Sequence, residues 1–176
     1  FLYLKPNIAV ITNLEAEHMD YYKNLENLLD HFKKFLKITL EQKGHLIINK
    51  DDTNLTKICS KLPKDKVHYY SIEEPSNVMA SNITHSANGA HFNLIINGKD
   101  EGEIHLRVFG KHNIYNALAT ICFGLHANIS IEQIKKALFS FMGTKRRFQL
   151  ITNTNDITIY DDYAHHPTEI AVTLDG

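Results

Sequence analysis

The sequence predicts an α/β fold, in which a mostly parallel sheet flanked by helices carries an attached antiparallel meander. Three observations predict it. Short apolar runs alternate with helical patterns over residues 8–70, the hydrophobic period falls to two over residues 78–108, and helical patterns return over residues 114–138. Strands that alternate with helices are typical of parallel sheets, whereas strict alternation between turn residues indicates antiparallel hairpins.

The first region has the order βαβαβ. Residues 8–11 form a continuously apolar run, which is typical of a strand buried on both faces. Apolar residues then recur at steps of three and four, which predicts an amphipathic helix over residues 24–41 that ends before Gly44. The remaining predicted elements are a strand at 46–48, a helix at 55–62 and a strand at 67–70.

The second region begins at about residue 78. The dipeptides Asn88-Gly89 and Asn97-Gly98 predict tight turns between antiparallel strands. A helix is predicted over residues 114–125, and Ser130 with Gln133 predicts a capping box at the start of the next helix. Residues 141–148 are predicted to form a linker.

Composition excludes several classes of protein. With 176 residues, 43% hydrophobic and 22% charged, the chain has room for one full core and part of a second domain. A net charge of -1 without a basic stripe argues against nucleic-acid binding, and no apolar run reaches the roughly 20 residues of a membrane helix. Cys59 and Cys122 lie among apolar residues, which favours reduced thiols in a cytoplasmic protein. The start at Phe1 indicates a fragment.

The most informative segment is Asp161 to Glu169, which contains acids, a tyrosine and two histidines before a proline. Pro167 predicts the first turn of a helix, because the N–H that proline lacks would have no partner there. Residues 157–160 are predicted to form the preceding strand. The ionisable groups would then lie at the carboxyl end of a strand, where ligands bind in α/β sheets.

Three other clusters have both a functional and a structural interpretation. Residues 12–20 contain acids and a histidine that suit Mg²⁺ or Mn²⁺, but they also fit a polar loop. Asn113 and Asn116 would share a helix face and could contact a base, or Asn113 could only cap the helix. Lys145, Arg146 and Arg147 suit a phosphate or a solvated hinge. The chain lacks a G-x-S-x-G elbow, which argues against a serine hydrolase.

The order and spacing of these clusters resemble the Mur ligase family. Residues 5–20 are similar to the segment KPDIAVVTNIEADHMD of the branch that joins L-alanine to UDP-N-acetylmuramate. Residues 110–117 are similar to the family's G-x-H-N-x-x-N-A motif, residues 146–148 to RRF, and residues 161–169 to DDYGHHPTE. A sister branch that attaches a tripeptide shares the last motif, so residues 15–20 decide between the two branches.

The resemblance implies an activity and its cofactors. Such ligases use ATP to phosphorylate the lactyl carboxylate of UDP-N-acetylmuramate, and L-alanine then attacks the acyl phosphate, in peptidoglycan precursor synthesis in the cytoplasm. It implies the following residue roles: His18 as a Mg²⁺ ligand, Asn113 and Asn116 at adenine, Arg147 at the ATP phosphates, Asp162 at the ribose, and Tyr163 and His165 near the acyl phosphate and amino acid.

The resemblance also implies two domains and some departures. Residues 1–146 would be the central ATP-binding domain without its phosphate loop, and residues 147–176 the start of a Rossmann-like C-terminal domain, so this polypeptide alone should be inactive. Position 17 is Glu where the family usually has Asp. Other branches of the family carry a carbamylated lysine downstream of the histidine; Lys33 lies at a plausible distance, but the branch that this chain resembles does not clearly use that lysine. Another amide ligase of the superfamily, such as a folylpolyglutamate synthetase, and a noncatalytic nucleotide-binding module are the alternatives.

Overall fold

The computed structural model describes residues 1–86, 88–154 and 157–175. The helices and strands follow one another in this order: β1 Ile8–Ile11, α1 Met19–Tyr22, α2 Leu25–Glu41, β2 His45–Asn49, α3 Thr53–Cys59, a 3-10 turn Lys64–Lys66, β3 Val67–Ser71, β4 Val78–Ser86, β5 Gly89–Ile96, β6 Lys99–Leu106, α4 Lys111–His126, α5 Ile131–Ser140, β7 Gln149–Thr154, β8 Ile157–Asp161 and α6 Pro167–Asp175.

Strands β1 to β6 form one sheet in sequence order. The pairs β1–β2, β2–β3 and β3–β4 are parallel, and the pairs β4–β5 and β5–β6 are antiparallel. Strands β7 and β8 form a separate antiparallel pair. The predicted α/β fold with a parallel sheet and an attached meander is therefore confirmed.

The sheet has a core on each face. On one face, Leu46 and Ile48 pack with α2 and α3; on the other, Ile47 packs with α4, α5 and the meander. All three side chains are fully buried, so β2 shows the burial on both faces that is expected of an interior parallel strand. This layering places the start of α4 at the carboxyl ends of the parallel strands.

The prediction that β1 is buried on both faces is wrong in part. Ala9 and Ile11 are buried, but Val10 is 42% exposed. The reason is position, because β1 is the edge strand of the sheet and pairs only with β2 among the described residues. An apolar run predicts a strand that can be buried on both faces, but neighbouring elements decide whether it is.

The turns and helix ends follow local chemistry with one exception. Asn97 and Gly98 both have positive φ, 49° and 81°, as the predicted tight turn requires. At the other predicted turn, Gly89 already belongs to β5, and Ala87 lies outside the described residues. The capping box at Ser130 is present in full.

The C-terminal part contains one strand that the sequence analysis did not predict. Residues 157–161 form the predicted strand and Pro167 is the first residue of α6, but β7 precedes them as well. The two apolar residues of β7, Leu150 and Ile151, are adjacent in the sequence, so the strand lacks the alternation of apolar and polar residues that would predict it. Both are about half exposed, at 54% and 55%. The pairing of β7 with β8 stabilises the strand instead.

Both cysteines are buried and unpaired, as expected. Burial raises the pKa of the Cys59 and Cys122 thiols to about 12, so neither is a nucleophile at neutral pH. Among the described residues, no helix combines the length and the apolar character that a membrane span requires.

Candidate active site

The loop after β1 carries the first predicted cluster, and residues from the next βα unit hold it in place. Asp52 accepts hydrogen bonds from the N–H of Leu14 at 2.8 Å and from the N–H of Leu55 at 2.8 Å, so one carboxylate anchors this loop and caps α3. Asn49 donates to the carbonyl of Thr12 at 3.0 Å, and Asn54 to the carbonyl of Leu14 at 2.8 Å. The loop is thus fixed at the carboxyl end of the sheet.

His18 lies at the end of this loop and starts α1. Its backbone has left-handed angles (φ 54°, ψ 40°), and its carbonyl accepts hydrogen bonds from the N–H groups of Tyr21 and Tyr22. The histidine is exposed to solvent. A non-glycine residue with positive φ is uncommon, but His18 is one of eight among the described residues, so its backbone alone does not mark it as functional.

The start of α4 depends on Gly110. Its φ of +87° favours glycine, and a Cβ there would lie 2.6 Å from Cε1 of His112, because that ring folds back over the glycine. Burial lowers the pKa of His112, against the raising effect of Asp162 and with a smaller lowering effect of Arg147. His112 is therefore neutral at pH 7, and its buried Nδ1 has no hydrogen-bond partner among the described residues.

The two predicted asparagines are not equivalent. Asn113 Nδ2 contacts the carbonyl of Phe109 at 2.7 Å and Nε2 of His112 at 3.1 Å, so its amide group already holds the helix start. Asn116 is exposed, and its side chain makes one long hydrogen bond to the described residues, from Nδ2 to Asn113 Oδ1 at 3.4 Å. Of the pair, Asn116 has more hydrogen-bonding capacity left for a ligand.

Asp162 ties the linker to the final segment. Its two oxygens accept the N–H of Phe148 at 2.6 Å and the N–H of Ala164 at 2.7 Å. Partial burial tends to raise the pKa of Asp162, but these backbone donors and the charge of Arg147 outweigh it, so the pKa is lowered. The carboxylate is thus ionised and already occupied in part by the protein.

The neighbouring arginines make different contacts. The Arg146 guanidinium lies 4.7 Å from the centre of the Tyr163 ring, and its Nε is 3.7 Å from Asp161. Arg147 makes two long contacts with described residues, 3.7 Å from Nη1 to Glu169 Oε1 and 6.0 Å from its guanidinium carbon to the centre of the Tyr163 ring. Since a strong bidentate pair has shorter bonds, Arg147 remains available to an anionic ligand.

The adjacent histidines also differ. His165 is exposed; its Nδ1 is 3.0 Å from the carbonyl of Tyr163 and 3.6 Å from Glu169 Oε2. His166 is half-buried, and its Nδ1 is buried without a partner among the described residues. An unpaired buried nitrogen is costly, which suggests a role in ligand binding.

These segments line one cleft of about 770 Å³. Its walls come from the loop after β1, the start of α4, the end of α5, the linker and α6, and its charged or amide side chains are those of Asn13, Glu15, Glu17, Asn113, Asn116, Arg147, Asp162 and Glu169. A larger cavity of about 1280 Å³ adjoins it and shares Asn113 and Arg147, but it extends toward β6 and the β7–β8 pair, away from the predicted acids. The smaller cleft is therefore the better candidate site.

The structure brings together only part of the predicted set. Asn113, Asn116, Arg147 and Asp162 line the cleft, whereas His18, Tyr163 and His165 are not among its lining residues. Their roles remain predictions. Lys33 is exposed on α2 and bonded to Asp30 at 2.8 Å.

Sequence reasoning missed four groups of the site. The sequence predicts a role for His165 but none for His166, and it does not single out the loop anchors Asn49, Asp52 and Asn54. A polar residue directly after a buried strand and before a helix is a signal that could have found Asn49 and Asp52. No sequence signal distinguishes His166 from His165.

A three-layer α/β domain with acids, amides and an arginine around a cleft at the carboxyl end of its sheet is typical of enzymes that bind phosphorylated ligands. Residues 1–124 match the Mur ligase middle domain, and residues 146–176 match the Mur ligase glutamate ligase domain. The chain belongs to the Mur ligase family.

Individual relatives agree with this assignment. The UDP-N-acetylmuramate--L-alanine ligase of Clostridium botulinum is 40% identical over 177 residues, which is 100% of this chain and 38% of that protein. The crystal structure of the UDP-N-acetylmuramate-alanine ligase of Thermotoga maritima has a TM-score of 0.82 at 26% identity and covers 99% of this chain and 38% of its own. A murein peptide ligase of Psychrobacter arcticus has a TM-score of 0.69 at 28% identity, covering 99% of this chain and 35% of its own. The chain thus spans less than two fifths of the length of these relatives.

Proposed function

We propose that the chain is part of an ATP-dependent ligase that joins L-alanine to UDP-N-acetylmuramate in the cytoplasm, in peptidoglycan precursor synthesis. The relatives from Clostridium and Thermotoga carry the name of this activity. The observation on which the proposal depends is the cleft, because it combines the acids after β1, the amides of α4 and Arg147 in one site. Within the proposed function, residues 1–146 form the ATP-binding domain and residues 147–176 begin the next.

The charge of the cleft supports a metal-dependent nucleotide site. Its lining contains four carboxylates, of Glu15, Glu17, Asp162 and Glu169, and one arginine. ATP is an anion, so a cleft of this composition would repel it unless cations were bound as well. Oxygen ligands suit Mg²⁺, and the cleft-lining carboxylates of Glu15 and Glu17 would bind it. His18, which follows Glu17 in the chain but does not line the cleft, would have to turn toward them to complete the site. When bound, Mg²⁺ would offset charge between the transferred phosphoryl group and the acceptor carboxylate.

The protein groups would act by positioning. Asn116 has free amide capacity for the edge of adenine, and Arg147 lies where it can hold phosphate oxygens. In the reaction, a carboxylate oxygen of the sugar attacks the γ-phosphorus of ATP and releases ADP. The amine of L-alanine then attacks the acyl carbon and releases phosphate. Holding two anions and an amine in line accounts for most of the rate.

The test uses the full-length protein, because this chain alone is expected to be inactive. ADP release should require Mg²⁺, ATP, UDP-N-acetylmuramate and L-alanine together. His18→Ala should reduce turnover by about 100-fold, as removal of a group at the reacting phosphate does. His85→Ala, which changes an exposed histidine on β4, serves as the matched control and should have no effect.

The amino substrate distinguishes the proposal from its alternatives. Turnover with a tripeptide and not with L-alanine would favour a murein peptide ligase, for which the 28% identity to the Psychrobacter structure is the supporting observation. Turnover with a folate and glutamate would replace the proposal by a folylpolyglutamate synthetase. ATP binding without turnover on any of these substrates would favour a noncatalytic module.

A further inference from the structure

Three histidines from distant parts of the sequence meet at the amino end of the parallel strands. His45 is the first residue of β2, His68 is the second residue of β3, and His126 is the last residue of α4. Each is half-buried, and one ring nitrogen of each lies within 4.8 Å of those of the other two. None of them lines either cavity at the opposite end of the sheet.

The rings of His45 and His68 are stacked, and the ring of His126 is tilted against both. The centroids of His45 and His68 are 5.2 Å apart with planes 29° from parallel, and the His126 ring lies 4.3 Å from His45 and 5.3 Å from His68. Nδ1 of His45 is 3.0 Å from Nε2 of His68. Two nitrogens of the cluster therefore already face each other.

We propose that His45, His68 and His126 form a binding site for Zn²⁺ or a similar divalent transition-metal ion, with water as the fourth ligand. Zinc binds imidazole nitrogens at about 2.0–2.1 Å in tetrahedral geometry, which puts ligand nitrogens about 3.3 Å apart. The His45–His68 pair needs to open by only a few tenths of an ångström. The His126 nitrogen must approach by at most about 1.5 Å, which a change in side-chain torsion can supply.

The groups around the three histidines favour binding of a cation, with the exception of Lys66. His126 ends α4, and the carboxyl end of a helix carries partial negative charge that attracts a cation. Burial lowers the pKa of His45 and His68, which keeps both rings in the neutral form that binds metals. Lys66 opposes binding, because its Nζ lies 3.5 Å from Nε2 of His45 and would face a protonated nitrogen once the metal occupied Nδ1.

A second cluster provides an internal control. His91, Glu103 and His105 lie close enough together to be metal ligands, but Glu103 and His105 come from one strand, and the site is more exposed. Glu103 contacts His105 at 2.8 Å, so that carboxylate already has a partner. The cluster of His45, His68 and His126 takes its three imidazole donors from three different elements and is the stronger site.

The test measures zinc binding to the full-length protein after treatment with a chelator. Competition against a chromogenic zinc chelator gives the affinity, and elemental analysis gives the stoichiometry. His68→Ala and His126→Ala should each weaken binding of one zinc ion by at least about 100-fold. His105→Ala should leave that affinity unchanged, and Lys66→Met should increase it several-fold because it removes the repulsive charge.

Co²⁺ provides a second measurement that does not require loss of a ligand. Cobalt bound by three imidazoles and water should give the visible absorption of a four-coordinate ion, and Lys66→Met should give the same spectrum at lower cobalt concentration. If His68→Ala fails to fold, the Lys66→Met result decides. Equal zinc affinity in the wild type, His68→Ala and Lys66→Met proteins, or a purely octahedral cobalt spectrum, would overturn the proposal.

Discussion

The two ends of the parallel sheet carry polar clusters of different kinds. At the carboxyl end, the groups lie on loops and helix starts, and other loops hold them, as Asp52 holds Leu14. At the amino end, His45, His68 and His126 lie within regular elements. A loop can carry several functional residues that are consecutive in the sequence and therefore form a motif. A strand or helix contributes a single residue to such a cluster, and its neighbours in the sequence pack in the core. The carboxyl end is therefore recognisable in the sequence, and the amino end only in the structure.

The largest expected effect concerns the charge in the cleft. Arg147→Ala in the full-length protein should reduce kcat/KM for ATP by about 100-fold, because the variant would lose the charge-assisted bond to phosphate that we propose for this arginine. Arg146→Ala is the matched control: that side chain contacts Tyr163 and Asp161, is not among the cleft-lining residues, and should lower kcat/KM by less than tenfold. Equal losses in the two variants would show that the cleft is wrongly placed.

The next effect concerns the start of α4. Gly110→Ala should lower the free energy of unfolding by about 2–3 kcal/mol, since the new methyl group needs positive φ and meets the His112 ring. Gly98→Ala shares the positive φ but has open space around it, so it should cost only about 1 kcal/mol. Urea denaturation of both variants measures the difference. If the two costs agree, the packing of His112 over Gly110 contributes nothing.

A smaller effect concerns the loop after β1. Asp52→Ala should lower the free energy of unfolding by about 2 kcal/mol, because both the cap of α3 and the N–H of Leu14 lose their acceptor. Asp30→Ala, which removes an exposed partner of Lys33, should leave stability within error in the same urea experiment. Because this loop carries the proposed Mg²⁺ ligands, Asp52→Ala should also raise the Mg²⁺ concentration that the full-length enzyme needs for half-maximal turnover. Unchanged stability together with an unchanged Mg²⁺ requirement would contradict the anchoring role.

The smallest effect belongs to the amino end and appears on acidification. Burial and the neighbouring charges of His126 and Lys66 lower the pKa of His45 and His68, against the opposite effect of Asp65 on His45. Below about pH 6.5 the unfolded chain binds protons that the folded chain resists, so stability should fall as the pH drops from there. With chelator present, the thermal midpoint of a variant that carries both His45→Gln and His68→Gln should depend less on pH than that of the wild type, over the range from about pH 7 to about pH 5.5. If the thermal midpoint of the variant depends on pH as strongly as that of the wild type, His45 and His68 are not the cause of the acid destabilisation.

Much of the fold could be predicted because local patterns agreed with the tertiary structure. The period of α2, the capping box at Ser130, the Asn97-Gly98 turn and Pro167 at the start of α6 are all confirmed. The errors occur where neighbours decide the outcome. Val10 is exposed because β1 lies at the edge, and β7 is formed by pairing with β8 without an apolar pattern of its own.

The candidate site was predictable to a similar degree. The motifs located Asn113, Asn116, Arg147 and Asp162, and all four line the cleft. They did not show that Asn113 and Asp162 already bond to the protein's own backbone, or that His166 and not His165 lines the cleft. Adjacent residues can point in opposite directions, so the sequence alone does not determine which of two histidines reaches a ligand.

By itself, the amino-acid sequence determined the family, most of the order of helices and strands, and the motifs that line the candidate cleft, because periodicity, capping and motif spacing are local properties of the chain. Only the tertiary structure decided which polar groups remain free for a ligand, and which single histidines meet at the far end of the sheet. Those outcomes depend on contacts between residues up to 81 positions apart, such as His45 and His126, and such contacts leave no local trace in the sequence.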